Sequence, residues 1–486
     1  MPLSWTDLLT ELRRADLLLH APDSGPHPTS VSADSRTVGK GGIYVAVRGS
    51  QADGHRYVGD AARQGAAAAV VETPQDAGVP EIVVRDGRRA ALVLGSAWYG
   101  HPARRLSLVG VTGTNGKTTT VGLVRHLLNA EGTAGSIGTL GAFDGQGRAV
   151  PSTAGSLTTP GPIDLQATLA TLVERGVTRV AMETSSHSLD QGRLDGLGFT
   201  AAVFTNLTRD HLDYHGSMDH YLAAKLKLGR LLADDGVEVV NLDDAAWRVI
   251  PGRTRRVTFG LAAAADVRAS EVMMDAAGSR FCLSGRFGSA DVRLPLLGDF
   301  NVANALAAAA CALGLERPLP EVVARLAEAP QVPGRMERLC ESPCVVLRDY
   351  AHTPDALARA LASLRPLTPG RLIAVFGCGG DRDRGKRPLM GEVAARHADL
   401  AIVTSDNPRT EDPEAILDDI VAGMGTTPHR RIVDRLQAIH EALAEGRPGD
   451  TVLLAGKGHE AYQVLGTRKV PFDEREIVRD AVKRAG

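Results

Sequence analysis

The segment VGVTGTNGKTTTVGLV, residues 109–124, places Gly113-Thr114-Asn115-Gly116-Lys117-Thr118 between a β-branched apolar run (106–111) and a stretch with helical patterning. A glycine-rich turn at such a junction brings backbone N–H groups and a helix N-terminus together, which suits a bound phosphate. Lys117 would meet the β- and γ-phosphates of a nucleoside triphosphate, the Thr118 hydroxyl a Mg²⁺ ion, and Thr119 the phosphate from the first helical turn. The spacing departs from the strict GxxxxGK[ST] pattern: position 111 is Val, and the nearer glycines are Gly110 and Gly113.

A phosphate loop alone is shared by motors, kinases, GTPases and ligases. No NKxD base-reading motif accompanies this one, which argues against a GTPase. The apolar run 179–182 closes on Glu183 rather than on the usual aspartate. Glu183 is therefore a metal-ligand candidate, weighed against a plain strand-end surface carboxylate.

These residues need a frame. At 486 residues the chain is long enough for about three domains. With 43% hydrophobic and 23% charged residues and a formal net charge of -2, it reads as a soluble globular protein without bias toward nucleic acid. The first 20 residues form one amphipathic helical pattern interrupted by charge, unlike a signal peptide, and no run approaches a membrane span. Five scattered cysteines without a CxxC pair read as reduced core fillers in a cytoplasmic protein.

Short apolar runs at 43–47, 66–71 and 82–84 alternate with a helical stretch at 88–99, giving a small α/β unit that closes near residue 102. Further strands are expected at 106–111, 179–182 and 202–204, an alanine-rich helix at 301–313, and a linker at 329–334. Beyond it, CVVLRDYAH, RLIAVFGCGG, LAIVTSDNPR and TVLLAGKGHE are four strands with polar or glycine-rich tails. Helices between them imply a doubly wound parallel sheet whose tails converge on one crevice at the strands' carboxyl ends. The fold class is α/β in three domains, 1–102, 103–332 and 333–486. The central one is a parallel-sheet domain like those of phosphate-loop nucleoside triphosphatases, and the last is Rossmann-like.

In this order, GTNGKT, METSSH, NLTRDHLDYHG and YLAAKLKL resemble the central domain of the Mur ligases, and the resemblance runs from about residue 30 to 470. It implies an ATP-dependent amide-forming ligase, in which the γ-phosphate activates a carboxylate as an acyl phosphate and an amine then attacks. It also implies that Thr118, Glu183, His211 and Lys225 hold Mg²⁺, with Lys225 converted by CO₂ into an N6-carboxylysine and Lys117 stabilising the transferring phosphoryl group. Residue type alone would place Lys225 and Lys227 on a solvated helix face, and would make His211 a structural histidine. GDFNVANALAA resembles the adenine-side segment and points to Asn301, with Arg335 and Asp349 beside the nucleotide.

In the first domain, SADSRTVGKGGIYVAVRGSQADGHRY resembles the family's uridine-nucleotide segment, which places Ala33, Ser35, Ser50, Gln51 and Ala52 on a UDP-muramoyl substrate. Thr158, Thr159, Ser185, Gln191 and Arg193 match further contacts to it; taken singly they are turn and cap residues. Asp406-Asn407-Pro408-Arg409 resembles the signature of the subfamily that adds meso-diaminopimelate as third residue, and Arg382, Gly456 and Glu460 complete that pocket. A planar guanidinium grips a carboxylate through two parallel hydrogen bonds, which suits the distal carboxylate that lysine lacks. The same ligase acting on lysine or ornithine remains an alternative, as do a folylpolyglutamate synthetase and a phosphate-loop ATPase driving a protein partner. No nucleic acid or membrane partner is expected, and the chain reads as a monomer.

Overall fold

Alternation of β-branched runs with helical stretches is realised as three large sheets, beside one two-stranded hairpin, in the computed structural model, which describes residues 3–49, 52–151, 157–253, 255–275 and 277–485. By their contacts the residues form two compact units. One holds 1–268, 284–288 and 304–322; the other holds 269–283, 289–303 and 323–486. The second boundary falls inside the helix Leu319–Ala327, so the irregular stretch expected as a linker lies within the second unit.

In the first unit, a five-stranded sheet runs Leu18–His20, Glu81–Val84, Ala68–Val71, Ile43–Val45, Val31–Ser32, parallel except for its first pair. Trp5, Leu8, Leu9 and Leu12, spaced at i, i+3, i+4 and i+7 on the helix Trp5–Arg14, pack with Ala90, Ala91 and Leu94 against one face. The amphipathic pattern expected over the first 20 residues ends earlier than its apolar residues suggest. Asp16 takes φ 54°, which stops the helix, and 18–20 join the sheet as an edge strand.

The larger sheet has Ser107–Thr112 at its centre, flanked in parallel by Arg179–Glu183 and Phe199–Phe204. Leu232–Asn241 and Arg256–Gly260 extend one side, and Ala134–Gly138 the other. Gly110 is required inside the central strand, because a Cβ there would lie 2.8 Å from Leu228 and 3.0 Å from Phe199. Thr112 and Glu183 end neighbouring parallel strands, so the phosphate loop and that carboxylate share one sheet edge. The helix Met218–Arg230 starts at Ser217, whose Oγ accepts the His220 N–H, and buries Tyr221, Ala224, Lys225 and Leu228.

In the second unit, the sheet order is Glu337–Cys340, Val345–Asp349, Thr451–Ala455, Leu372–Phe376, Leu400–Val403, His429–Arg431, parallel after its antiparallel first pair. The four expected strands are adjacent and parallel, so their polar tails emerge at one edge. No helix among the described residues is long and apolar enough to cross a membrane.

Candidate functional site

The phosphate loop is shaped by what lies behind it. Gly113 has φ 153°, and a Cβ there would sit 1.9 Å from Thr205 Oγ1. Asn206 braces the loop: its carbonyl accepts the Thr114 N–H, its Oδ1 accepts the Asn115 N–H, and its Nδ2 donates to the Asn115 carbonyl. Gly116, φ 83°, opens the helix Lys117–Leu128, and a Cβ there would meet Asn304 Oδ1 at 2.2 Å. Thr118 and Thr119 are buried in the first turn, whose N–H groups run along the axis toward the loop. Lys117 Nζ donates to the carbonyls of Gly113 and Thr114, at 3.0 and 2.8 Å.

Lys225 lies directly beneath. Only 1% of it is exposed, and its Nζ donates to the Gly113 carbonyl at 2.7 Å while lying 4.4 Å above the Tyr221 ring. Burial, reinforced by the charge of Lys117 and opposed by Asp210, pushes its ammonium well below the usual lysine range. The solvated-face reading therefore fails for Lys225, which belongs to the buried stripe of its helix. Lys227 stays half-exposed and pairs with Asp190.

His211 sits at φ 52°, its Nε2 3.5 Å from Asp210, and burial draws its value down. Its ring meets His187 edge-on at 4.8 Å, and burial followed by His211 and His215 depresses His187 to about 4. Glu183 is buried, with its carboxylate accepting the N–H and hydroxyl of Thr139. Among the described residues no three His, Cys, Asp or Glu side chains converge as a cation site. A divalent ion beside Glu183 and His211 would thus need a further anionic ligand, and a desolvated neutral amine is the side chain that can become one by taking up CO₂. In that respect Thr118, Glu183, His211 and Lys225 fit the expected set.

Thr158, Thr159, Ser185, Gln191 and Arg193 gather beside Glu183. The Thr159 hydroxyl donates to the Glu183 carbonyl at 2.8 Å, and Thr158 Oγ1 is 3.2 Å from Thr139 Oγ1. The Ser185 N–H donates to Thr159 Oγ1, while Arg193 donates to the Thr159 carbonyl and to Gln191 Oε1. Ala33, Ser35 and Ala52 line a separate cavity of about 700 Å³ with Asp34, Arg36 and Tyr44. Ser50 and Gln51 lie outside the described residues.

Within the second unit, the Arg335 guanidinium lies 4.6 Å over the Tyr350 ring, next to Asp349, whose carboxyl is raised by burial against the pull of Arg335. Asn301 donates from Nδ2 to the Leu297 carbonyl and is 1% exposed. At the sheet's carboxyl edge, a Cβ on Gly379 would touch both Arg409 Nη1, at 2.9 Å, and Arg382 Cγ, at 3.7 Å. The two expected guanidinium side chains therefore flank one glycine. Arg409, φ 54°, donates to the Gly380 carbonyl at 2.6 Å, and Asn407 Nδ2 to Glu460 Oε2 at 2.9 Å. Pro408 is buried, and Gly456, φ 111°, lies against Asp406.

Models of three Mur ligase segments match the chain: the middle domain over 111–312, the glutamate ligase domain over 334–458, and the family's catalytic domain over 27–103. A protein of Geobacillus kaustophilus (strain HTA426), named UDP-N-acetylmuramoyl-L-alanyl-D-glutamate--2,6-diaminopimelate ligase, is 44% identical over 97% of this chain and 99% of its own length. The chain belongs to the Mur ligase family. A Synechococcus elongatus protein of the same name is 45% identical over 93% of this chain and 94% of its own. A solved structure with that name is 34% identical, with a TM-score of 0.67 over 100% of this chain and 99% of that one. MurF from Acinetobacter baumannii, 20% identical with a TM-score of 0.69 over 99% of each chain, shares the fold.

Several residues at these Mur ligase sites carry no motif of their own. Asn304, three residues beyond Asn301 in NVAN, touches the phosphate loop, and that i, i+3 spacing was its signal. Asn206, Thr139 and His187 could be found only through the residues they meet in space.

Proposed function

We propose that the chain joins meso-2,6-diaminopimelate to the D-glutamate γ-carboxylate of UDP-N-acetylmuramoyl-L-alanyl-D-glutamate, using ATP, in the cytoplasmic synthesis of peptidoglycan precursor. The observation that carries the ligase reading is Lys225, a desolvated amine bonded to the phosphate loop's own carbonyl. An ATPase that only drives a partner has no use for it.

In this reading, Gly113, Thr114, Asn115, Gly116, Lys117, Thr118 and Thr119 bind the triphosphate. Asn301, Arg335 and Asp349 serve the nucleoside side, and the three domains 1–102, 103–332 and 333–486 carry the uridine nucleotide, ATP and the amino acid. Thr118, Glu183, His211 and carboxylated Lys225 would hold Mg²⁺, which would supply charge neutralisation for phosphoryl transfer when bound. Lys117 moves from its loop carbonyls to the γ-phosphate, lowering the cost of charge on the phosphoryl oxygens as the glutamate carboxylate attacks the γ-phosphorus. That attack forms an acyl phosphate and releases ADP. The amine then displaces phosphate and loses a proton, forming the amide. Ala33, Ser35, Ser50, Gln51 and Ala52 hold the UDP group, with Thr158, Thr159, Ser185, Gln191 and Arg193 on the sugar peptide. Arg382 and Arg409 take the distal carboxylate of diaminopimelate, while Asp406, Asn407, Pro408, Gly456 and Glu460 form the ammonium side. The enzyme works as a monomer.

Phosphate release tests this reading directly. It should be slow with ATP and Mg²⁺ alone and accelerate at least tenfold only when both the UDP-dipeptide and the amino acid are present. Rapid release without either substrate would favour the partner-driving ATPase.

A further inference from the structure

Lys457, in the loop after Thr451–Ala455, has no solvent exposure. Its Nζ donates to Asn407 Oδ1 at 3.1 Å and to Glu460 Oε2 at 3.4 Å, and it lies 3.5 Å from Asp406 Oδ1. All three partners belong to the amino-acid pocket, yet Lys457 approaches them from the protein side, with its Nζ also near the Tyr462 and Phe472 rings. Asn407 is thereby held in one amide orientation. Its Oδ1 accepts from Lys457 and from the Val464 N–H, so its Nδ2 is the group that donates to Glu460. Both of these bonds to Glu460 end on Oε2, which makes Oε1 the oxygen for an incoming ammonium.

We propose that Lys457 is a positioning residue that sets amino-acid selectivity, by acting as a resident ammonium that partly neutralises Asp406 and Glu460 from behind. The proposal rests on the pocket assignment made above. With Arg382 and Arg409, the residues assigned to the pocket then number three cations against two carboxylates, Arg387 beside Gly379 being paired with Glu411 and Asp419. Such a balance favours a distal group carrying both an ammonium and a carboxylate. It disfavours the lone ammonium of lysine, which would add a fourth positive charge with no carboxylate to meet the arginines. Removing the Lys457 charge frees the two carboxylates to receive a simple cation.

The test is steady-state kinetics of the full chain with saturating ATP and UDP-dipeptide, varying diaminopimelate or lysine, for wild type, Lys457→Met and Lys457→Gln. Gln keeps a donor for Asn407 without the charge, and gives the answer should Met disturb the loop. The expected result is a KM for diaminopimelate raised at least tenfold with kcat changed less than threefold. The preference for diaminopimelate over lysine in kcat/KM should fall at least tenfold, and the KM for ATP should be unmoved. Variants that keep the wild-type KM and preference would overturn the proposal while leaving the ligase assignment standing. Wild type that makes no diaminopimelate product would overturn both.

Discussion

Lys225 shares a helix face with Tyr221, Ala224 and Leu228, so helical period alone buries it, and among the described residues its Nζ bonds a backbone carbonyl, that of Gly113. An amine kept from water and beside Lys117 is a poor ammonium and a good nucleophile toward CO₂. Lys225→Met should lower kcat at least a hundredfold with little change in thermal stability, and small carboxylates should restore part of it; full activity in the variant would contradict the carbamate role. For Arg409, the planar fork is what matters. Arg409→Lys keeps the charge and loses the paired geometry, so the KM for diaminopimelate should rise about tenfold or more, measured by the same kinetics. Residue type was a poor guide at these positions: a lysine in YLAAKLKL reads as solvated until its i−4 and i+3 neighbours are seen to be core. Likewise Asn304 is indistinguishable from Asn301 until the helix shows which of the pair meets Gly116.

At the scale of elements, the strands at 107–112 and 179–183 were legible as short apolar runs, and of 199–204 only the end at 202–204 was. Ala134–Gly138, AGSIG, was not. It is made of small residues, and Gly135 is needed where a Cβ would lie 2.8 Å from the Phe143 carbonyl. The strand pair beyond it is pinned by Asp144, whose side chain has no exposure. Burial would raise this carboxyl, but the Arg148 N–H and the guanidinium groups of Arg148 and Arg175 outweigh it and hold the value below the usual range. A carboxylate lowered in the folded state adds stability above its unfolded value and loses it as pH falls through the folded one. Asp144→Asn should therefore cost about 2 kcal/mol at neutral pH. The gap from wild type should narrow below about pH 4, read by thermal unfolding across a pH series. A gap independent of pH would show that the ion pairs contribute nothing. In the phosphate loop, Gly116→Ala meets both a positive φ and Asn304, and should raise the KM for ATP at least tenfold.

Over the whole molecule, alternating β and α patterns gave the three large sheets found among the described residues, and the four polar strand tails at 350–352, 377–380, 404–409 and 456–460 do emerge side by side. Composition and spacing could not bring together the charges that we propose choose the amino acid, because they lie on separate loops: Arg382 and Arg409 around Gly379, and Asp406 with Glu460 around Lys457. The most direct measurement is the mass of the product formed from ATP, Mg²⁺ and UDP-N-acetylmuramoyl-L-alanyl-D-glutamate with meso-diaminopimelate, L-lysine or L-ornithine supplied separately. A UDP-tripeptide formed with diaminopimelate, and at most a trace with the other two, is the predicted result. Product with lysine or ornithine in preference to diaminopimelate would contradict it.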